Sequence, residues 1–150
     1  MSQSLSSVLV HAVFSTSERR PWLRDTVRPE LYAYLTTVLN GNGHRVVRIG
    51  GTEDHVHVAL FLSRTASVAQ AVEQMKVSTS KWIKTKGTQF GPFSWQKGYG
   101  AFSVGFKDCD ALVRYIDDQA RHHARRDFQA EMRMLFARSG VEFDERYVWD

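Results

Sequence analysis

The chain has 150 residues, of which 43% are hydrophobic and 24% charged, and this composition is that of a globular protein. A chain of this length folds as one domain without needing disulfides or structural metals, so we expect a single domain spanning residues 1–150. The one cysteine, Cys109, has no partner for an intrachain disulfide, which favours a reducing compartment over secretion. With no signal-peptide pattern and no apolar run near the roughly 18 residues that cross a bilayer, the expected location is the cytoplasm.

The charge of the chain is unevenly distributed. Residues 1–106 contain 12 Lys and Arg against 6 Asp and Glu, whereas residues 107–150 contain 8 against 10. A polyanionic partner such as nucleic acid is one explanation for the basic first part, because Lys and Arg near phosphates release condensed counterions. The other explanation is an ordinary solvated surface, and charge alone does not choose between them.

Hydrophobic periodicity and turn residues divide the chain into strands and helices. Runs of β-branched and apolar residues predict strands, and apolar residues three and four apart predict helices. In chain order, the predicted elements are a strand at 8–15, a helix from Pro29 to the stop at 40–43, strands at 45–49 and 56–62, a helix from Ser67 to about Gly87, a strand at 101–106, a helix from Asp108 through Gln119, and a helix from Asp127 to Gly140. Residues 50–54, between the two middle strands, have the composition of a hairpin connection.

The predicted order is β-α-β-β-α-β followed by two helices, which is the order of the split β-α-β, ferredoxin-like fold. We therefore predict an α+β protein with a four-stranded antiparallel sheet. Two helices cover one face of this sheet, and two C-terminal helices are added. The other face is left for a ligand or for the added helices.

Two histidines alternate on the third predicted strand. Because side chains alternate between the faces of a sheet, Val56 and Val58 point to one side and His55 and His57 to the other. The apolar side should face the two helices, so the imidazoles project together from the opposite face. Their Cβ atoms are then roughly 6 to 7 Å apart, close enough to share one ion. The alternative is a pair of half-buried histidines that bind nothing.

A second set of polar side chains lies on the helix after the fourth strand. Tyr115 and Gln119 are four residues apart and lie on the same helical face. A helix laid over the open face of the sheet would offer both to the histidines. Two imidazole nitrogens and an amide oxygen suit Mn²⁺ and tolerate Mg²⁺. Beside such an ion Tyr115 is a candidate nucleophile, although packing of the helix against the sheet also explains an aromatic residue there.

These residues, in this order, resemble a known family. His55-Val56-His57 on a strand of a ferredoxin-like fold, with Tyr115 to Gln119 on a late helix, is similar to the HUH single-tyrosine transposases of bacterial insertion sequences. Further similar segments extend over nearly the whole chain, at 11–16, 18–21, 50–51, 80–83, 95–103 and 145–147.

The resemblance implies a chemistry. In such enzymes the tyrosine attacks a phosphodiester of single-stranded DNA, forms a 5′-phosphotyrosine and frees a 3′-hydroxyl, so Tyr115 would be the catalytic residue. His55, His57 and Gln119 would hold the divalent metal, Mg²⁺ or Mn²⁺, that polarises the scissile phosphate. The covalent intermediate removes the need for a nucleotide cofactor, and the sequence contains no G-x-x-x-x-G-K-[ST] phosphate loop.

The resemblance also implies partners, namely single-stranded DNA with transposon-end hairpins and a second subunit in a homodimer that shares its active sites. Residues predicted to touch DNA phosphates, each also explained as a solvated surface charge, are Arg19, Arg20, Lys81, Lys84 and Lys86. Tyr99 is a rival nucleophile. It is disfavoured because it lies near the fourth strand and not four residues from a predicted metal ligand, as Tyr115 does. His11 is expected to be a satisfied core histidine, and His122 and His123 to extend a basic helix end, although one of them could approach the metal or a phosphate.

Two other functions stay open. One is a noncatalytic nucleic-acid-binding protein descended from a transposase, against which the intact site residues argue, because a binder has no need of them. The other is a nickase of the replication-initiator type built on the same histidine pair. The recognised hairpin, and whether the active site is assembled within one subunit or between two, are also left open by the sequence.

Overall fold

The structure, a computed structural model, describes residues 2–150, which contain four strands and five α-helices. The strands are β1 (Leu9–Ser15), β2 (Arg45–Gly51), β3 (His55–Phe61) and β4 (Gly100–Val104). The helices are α1 (Arg28–Gly41), α2 (Val68–Lys84), α3 (Cys109–Asp117), α4 (Gln119–Arg125) and α5 (Phe128–Ser139). Short 3-10 turns lie at Ser17–Arg19, Thr88–Phe90 and Phe106–Asp108. No helix within residues 2–150 has the length and hydrophobicity needed to cross a membrane.

The four strands form one antiparallel sheet in the order β2-β3-β1-β4. The two central strands, β1 and β3, pair from Leu9 opposite Phe61 to Ser15 opposite His55. This is the strand order of the split β-α-β arrangement. The predicted fold class, α+β with a ferredoxin-like sheet, is therefore confirmed.

The main core lies between one face of the sheet and helices α1 and α2. The side chains of Val56, Val58 and Leu60 on β3 are buried there, as their alternation predicts. Apolar residues at helical spacing complete the core from the other side: Leu31, Leu35, Leu39, Ala71, Val72, Met75 and Ile83. The predicted capping box of α2 is present, with Ser67 and Gln70 each accepting a hydrogen bond from the other's backbone N–H.

The opposite face of the sheet carries His55 and His57 and is covered by the C-terminal helices. Two small apolar clusters attach these helices: Ala59 with Leu112 and Ile116 of α3, and Val13 and Phe102 with Phe128, Met132 and Phe136 of α5. The relative exposure of His55 is 1% and that of His57 is 0%. The histidine pair therefore faces the added helices and not the solvent.

The region after β4 differs from the prediction. The sequence predicts one helix from Asp108 through Gln119, whereas the structure has two, α3 and α4, with a break at Asp118. Asp118 adopts φ −91° and ψ 16°, and its N–H donates to the Arg114 carbonyl to close the last turn of α3. Neither Gly nor Pro marks the break, so the helical pattern continues across it. Three α-helices, and not two, follow β4.

Smaller differences concern the ends of elements. Gly50 and Gly51 extend β2, so the connection to β3 shortens to residues 52–54. The side chain of Asp108 makes no capping hydrogen bond to α3, whereas Asp127 caps α5 by accepting from the Ala130 N–H at 2.9 Å. The helix α5 ends at Gly140, which adopts the left-handed conformation (φ 67°) typical of a C-terminal cap.

Gly50 allows α3 to lie close to the edge strand β2. A Cβ atom on Gly50 would stand 2.7 Å from Cγ2 of Ile116 and 2.8 Å from the Ile116 carbonyl oxygen. Both distances are shorter than a van der Waals contact, so a side chain here would push α3 outward. Because Ile116 follows Tyr115 in the chain, this close approach also sets the height of Tyr115 above the sheet.

Replacing Gly50 with alanine should lower the free energy of unfolding by about 1–3 kcal/mol, because the added methyl group overpacks a filled contact. Denaturant titration followed by circular dichroism measures this change. Gly41→Ala is the matched control, since a Cβ at this helical position meets nothing within 4 Å and should be neutral or stabilising. Equal stability of the two variants would show that α3 does not pack against β2 at this distance.

Candidate active site

His55, the first residue of β3, is held by contacts at both ring nitrogens. Its Nδ1 lies 2.6 Å from a carboxylate oxygen of Asp54 and 3.0 Å from the hydroxyl of Thr52. Its Nε2 lies 3.1 Å from the amide oxygen of Gln119 and 3.3 Å from Oε1 of Glu131. The short connection between β2 and β3 thus orients the ring so that Nε2 points at α4 and α5.

His57 contacts the same carboxylate from the same face of the sheet. Its Nε2 lies 3.1 Å from Oε1 of Glu131, and its Nδ1 lies 2.7 Å from Nε2 of His11 on the neighbouring strand β1. The rings of His11 and His57 stack with centroids 5.0 Å apart. If Nε2 of His57 is to bind a cation, Nδ1 must carry the ring proton, and His11 is placed to accept it. His11 is therefore buried, as expected, and is also part of the site.

Glu131 on α5 connects the site, and the sequence analysis missed it. Its side chain is 3% exposed. While Oε1 faces the two histidines, Oε2 accepts hydrogen bonds from the Gln119 amide at 3.1 Å and from the Tyr115 hydroxyl. One signal was available in the sequence: position 131 lies on the apolar face of α5, three residues after Phe128, where a carboxylate has to find buried partners.

Tyr115 reaches this cluster within the same chain. Besides the hydrogen bond to Glu131, its ring lies 5.7 Å from the His57 ring and 5.9 Å from the His11 ring, centroid to centroid. The break between α3 and α4 does not separate Tyr115 from Gln119, since both donate to the same carboxylate oxygen. The structure thus brings all four predicted site residues together around one carboxylate.

The rival tyrosine lies elsewhere. Tyr99 is 41% exposed, and its ring lies 5.8 Å from Nζ of Lys76. Lys76 itself donates to the backbone carbonyls of Gln96, Lys97 and Gly98. These contacts anchor the glycine-containing segment before β4. The side chain beside Tyr99 is thus a lysine and not one of the predicted site residues.

One proton and two carboxylates set the charge of the site. Burial by itself would lower the pKa of His55, but its hydrogen bonds with Asp54 and Glu131 outweigh burial and raise this pKa to about 9. Burial would raise the pKa of Glu131, but its hydrogen bonds with the histidines hold that pKa well below its ordinary value. Burial lowers the pKa of His57 and lowers that of His11 to about 3. At neutral pH the site therefore holds one imidazolium, His55, between two carboxylates.

The donor atoms fit a small divalent cation. Around Oε1 of Glu131, Nε2 of His57 lies at 3.1 Å and Nε2 of His55 at 3.3 Å, and the latter is 3.1 Å from the Gln119 oxygen. Neighbouring ligands of an octahedral ion bound at about 2.1 Å are themselves about 3.0 Å apart. Two imidazoles with carboxylate and amide oxygens form a mixed set that suits Mn²⁺ and tolerates Mg²⁺. The buried His/Glu cluster could thus bind a metal.

Two further histidines flank the site from α4. The ring of His122 lies 4.7 Å from the ring of Tyr115 at an interplanar angle of 31°. Nε2 of His123 lies 3.1 Å from a carboxylate oxygen of Glu53, and its ring is 5.7 Å from that of His55. The sequence presents both as part of a basic helix end, whereas the structure packs each against a residue of the site.

Two of the residues predicted to touch DNA lie on the other side of the sheet. Lys81 and Lys84 are exposed on α2, which packs on the face opposite the histidines. Together with Lys97 they line a groove of about 500 Å³ whose floor includes Trp95. The structure therefore separates these lysines from the tyrosine by the thickness of the sheet.

The other three predicted DNA contacts are also at the surface. Arg19 and Arg20 lie in and after the 3-10 turn that follows β1, and Arg20 pairs with Glu18 at 2.8 Å. Lys86 pairs with Glu30 at 3.2 Å beyond the end of α2. Within residues 2–150, none of these three side chains makes a hydrogen bond or ion pair with His55 or His57.

Comparison with known proteins points to one family. The profile of the family described as IS200-like transposase matches residues 4–119 of this chain. A protein assigned as a transposase in Deinococcus radiodurans R1 has a similar structure, with 20% identity, 79% of this chain and 98% of that chain covered, and a TM-score of 0.62. No protein of curated function matches the chain.

A second solved structure extends the similarity in fold. It is a REP-associated tyrosine transposase bound to a REP hairpin, with 16% identity, 82% of this chain and 74% of that chain covered, and a TM-score of 0.61. The family match ends at Gln119, so α5 and its Glu131 lie beyond the matched span.

Metal affinity should rise with pH up to about 9, because a cation displaces the proton that His55 holds below this pKa. Between about pH 7 and 9 we expect roughly a tenfold gain in Mn²⁺ affinity per pH unit. Isothermal titration calorimetry in two buffers of different ionisation enthalpy counts the released protons. About one proton per ion should be released at pH 7.5 and almost none at pH 10, whereas no release at pH 7.5 would contradict the assignment.

His11→Phe should weaken Mn²⁺ binding by about 10–100-fold, because it keeps a ring beside His57 but removes the nitrogen that accepts the Nδ1 proton. The measurement is a Mn²⁺ titration monitored by electron paramagnetic resonance. Phe102→Leu is the control, since the Phe102 ring lies 5.9 Å from that of His11 on β4 and has no hydrogen-bonding atom to lose. Wild-type affinity in His11→Phe would remove His11 from the site.

Proposed function

This chain belongs to the IS200-like transposase family, whose members are enzymes acting on DNA in transposition, and we propose that it cuts and rejoins single-stranded DNA through a 5′-phosphotyrosine on Tyr115. The observation that carries the proposal is the meeting of the Tyr115 hydroxyl, a buried carboxylate and the His55-His57 pair within one chain. A nucleophile, a proton acceptor and a set of metal ligands are what phosphodiester transfer by a tyrosine requires.

Tyr115 needs a proton acceptor in order to attack. Burial and the negative charge of Glu131 raise the pKa of Tyr115 above its ordinary value, so the phenol keeps its proton at neutral pH. In the proposed step Oη of Tyr115 bonds to phosphorus and the bond from phosphorus to the 3′ oxygen breaks. The phenol proton passes by way of Oε2 of Glu131 to solvent, because the low pKa of this carboxylate prevents it from keeping the proton. The leaving oxygen takes a proton from solvent and becomes a 3′-hydroxyl.

Rejoining is the reverse of this step. A 3′-hydroxyl attacks the phosphotyrosine and loses its proton to solvent, the bond between phosphorus and Oη breaks, and Tyr115 takes a proton from solvent. The covalent link conserves the energy of the phosphodiester, so strand transfer proceeds without ATP.

We propose that His55, His57 and Gln119, together with Oε1 of Glu131, hold Mg²⁺ or Mn²⁺. When bound, such an ion would polarise the scissile phosphate and stabilise charge on the leaving oxygen. The surrounding residues orient the ligands: Asp54 accepts from Nδ1 of His55, and the amide NH₂ of Gln119 donates to Glu131. These contacts fix the direction of each ligand before a metal or DNA arrives.

The proposed substrate is single-stranded DNA that folds into hairpins. The solved REP-associated transposase is bound to such a hairpin, and its similarity to this chain in fold supports the same class of partner. Lys81 and Lys84, in their groove with Lys97, are placed to contact phosphates of a duplex stem. The ion pairs of Lys86 with Glu30 and of Arg20 with Glu18 are exposed and therefore weak, so each basic side chain can leave its carboxylate for a DNA phosphate. Arg19 lies in the same turn as Glu18.

The site residues meet within one subunit, so the proposed chemistry needs no second copy of the chain. A homodimer whose subunits exchange the tyrosine helix, which the family resemblance implies, stays a prediction. Because the substrate is cellular DNA, we propose that the enzyme acts in the bacterial cytoplasm, where Cys109 would remain a free thiol.

Tyr115→Phe should abolish the covalent adduct while retaining DNA binding, because only the attacking oxygen is removed. The assay incubates the protein with labelled hairpin-forming single-stranded DNA from the region flanking its gene, with Mg²⁺ or Mn²⁺, and resolves the adduct on a denaturing gel. His57→Ala should lose metal-dependent cleavage.

Tyr99→Phe is the matched control and should form the adduct at the wild-type rate. Persistence of the adduct in Tyr115→Phe together with its loss in Tyr99→Phe would reassign the nucleophile. Efficient cleavage of a fully paired duplex would indicate a different class of nuclease.

A further inference from the structure

A small pocket opens beside Tyr115 on the side away from the sheet. It has a volume of about 150 Å³ and is lined by Tyr115, His122, Arg126, Glu131, Met134 and Arg138. At about 30 Å³ per water molecule it holds roughly five waters, which is room for a phosphate group. The pocket thus places a space that can hold a phosphate beside the tyrosine.

The rim of the pocket is positively charged. Arg126 and Arg138 are both exposed, and among the ion pairs of residues 2–150 neither has a carboxylate partner. The guanidinium of Arg126 donates instead to the thioether sulfur of Met134, a weak acceptor. Two guanidinium groups with unused donors beside a nucleophile are suited to an anion.

The helix α5 connects this rim to the buried part of the site. Glu131, Met134 and Arg138 stand three and four residues apart, so they form one stripe along the helix. The stripe runs from the 3% exposed carboxylate to an arginine in the last turn. The contacts of Glu131 are with the two histidines, Gln119 and Tyr115, and among the ion pairs of the described residues none joins it to Arg126 or Arg138.

We propose that Arg126 and Arg138 bind the phosphate that Tyr115 attacks, so that this pocket holds first the scissile phosphodiester and then the phosphotyrosine. The inference rests on the proposed function and adds to it a phosphate subsite built from residues beyond the family match, which ends at residue 119. His122, whose ring lies 4.7 Å from the Tyr115 ring, also lines the subsite.

The test measures binding without chemistry. The probe is a 3′-fluorescent single-stranded hexanucleotide with either a 5′-phosphate or a 5′-hydroxyl, titrated by anisotropy. The wild-type protein should prefer the 5′-phosphate form by about tenfold or more, because charge-assisted hydrogen bonds to one phosphate distinguish the two probes. The double variant Arg126→Gln/Arg138→Gln should lose this preference while binding the 5′-hydroxyl probe as before.

Arg125→Gln is the matched control, since Arg125 is an exposed neighbour that does not line the pocket, and it should keep the preference. The double variant should melt at the wild-type temperature because both side chains are exposed. A preference that survives in the double variant, or is absent from the wild type, overturns the subsite.

Adduct formation separates this inference from the proposed function. An adduct that forms at the wild-type rate in the double variant would reject the subsite and leave the tyrosine chemistry intact. Loss of the 5′-phosphate preference in the double variant, with no adduct from the wild type on any hairpin, would support the subsite and reject the chemistry.

Discussion

The arrangement of the site depends on one buried carboxylate. Burying an ionised side chain is costly unless charged or polar partners surround it. The helix α5 can therefore bury Glu131 against the sheet only where donors converge. Those donors come from three separate elements: the histidines of β3, Gln119 at the start of α4, and Tyr115 on α3. The carboxylate thereby positions the proposed metal ligands and the proposed nucleophile with respect to each other.

The charges of the site suit a cation between its two carboxylates. The imidazolium of His55 lies between Asp54 and Glu131 and supplies the positive charge that the two carboxylates need. A divalent cation at the same place would supply that charge in exchange for the proton. Three of the separations between the donor atoms, 3.1, 3.1 and 3.3 Å, are close to those between neighbouring ligands of a small ion.

Backbone packing has as large a part in the site as the polar contacts. Because Gly50 carries no side chain, α3 rests directly on β2, and Tyr115 is held at the height of the His57 ring. The C-terminal helix then covers the same face, through Phe128, Met132 and Phe136, and closes the site from above. The candidate active site is thus completed by a helix that lies outside the span matched by the family.

Local patterns in the sequence were sufficient for the fold and for most of the site. Alternating apolar residues and helical periodicity predict the ferredoxin-like order, and the strand period places His55 and His57 on one face. The helical spacing of Tyr115 and Gln119 adds both to this face, and resemblance to a family suggests their roles. The break at Asp118 was not predictable in this way, because the helical pattern runs through it without a Gly or Pro.

The sequence by itself therefore determined the individual helices and strands and which side chains share a face of each. These features depend on neighbours a few residues apart. Only the tertiary structure decided which faces meet. The contacts of His57 with His11 and with Glu131 join residues 46 and 74 positions apart in the chain. The pocket beside Tyr115 likewise brings together Arg126, which follows α4, and Arg138 of α5. No local period encodes such distances, since they arise from how helices pack on the sheet once buried charges have found their partners.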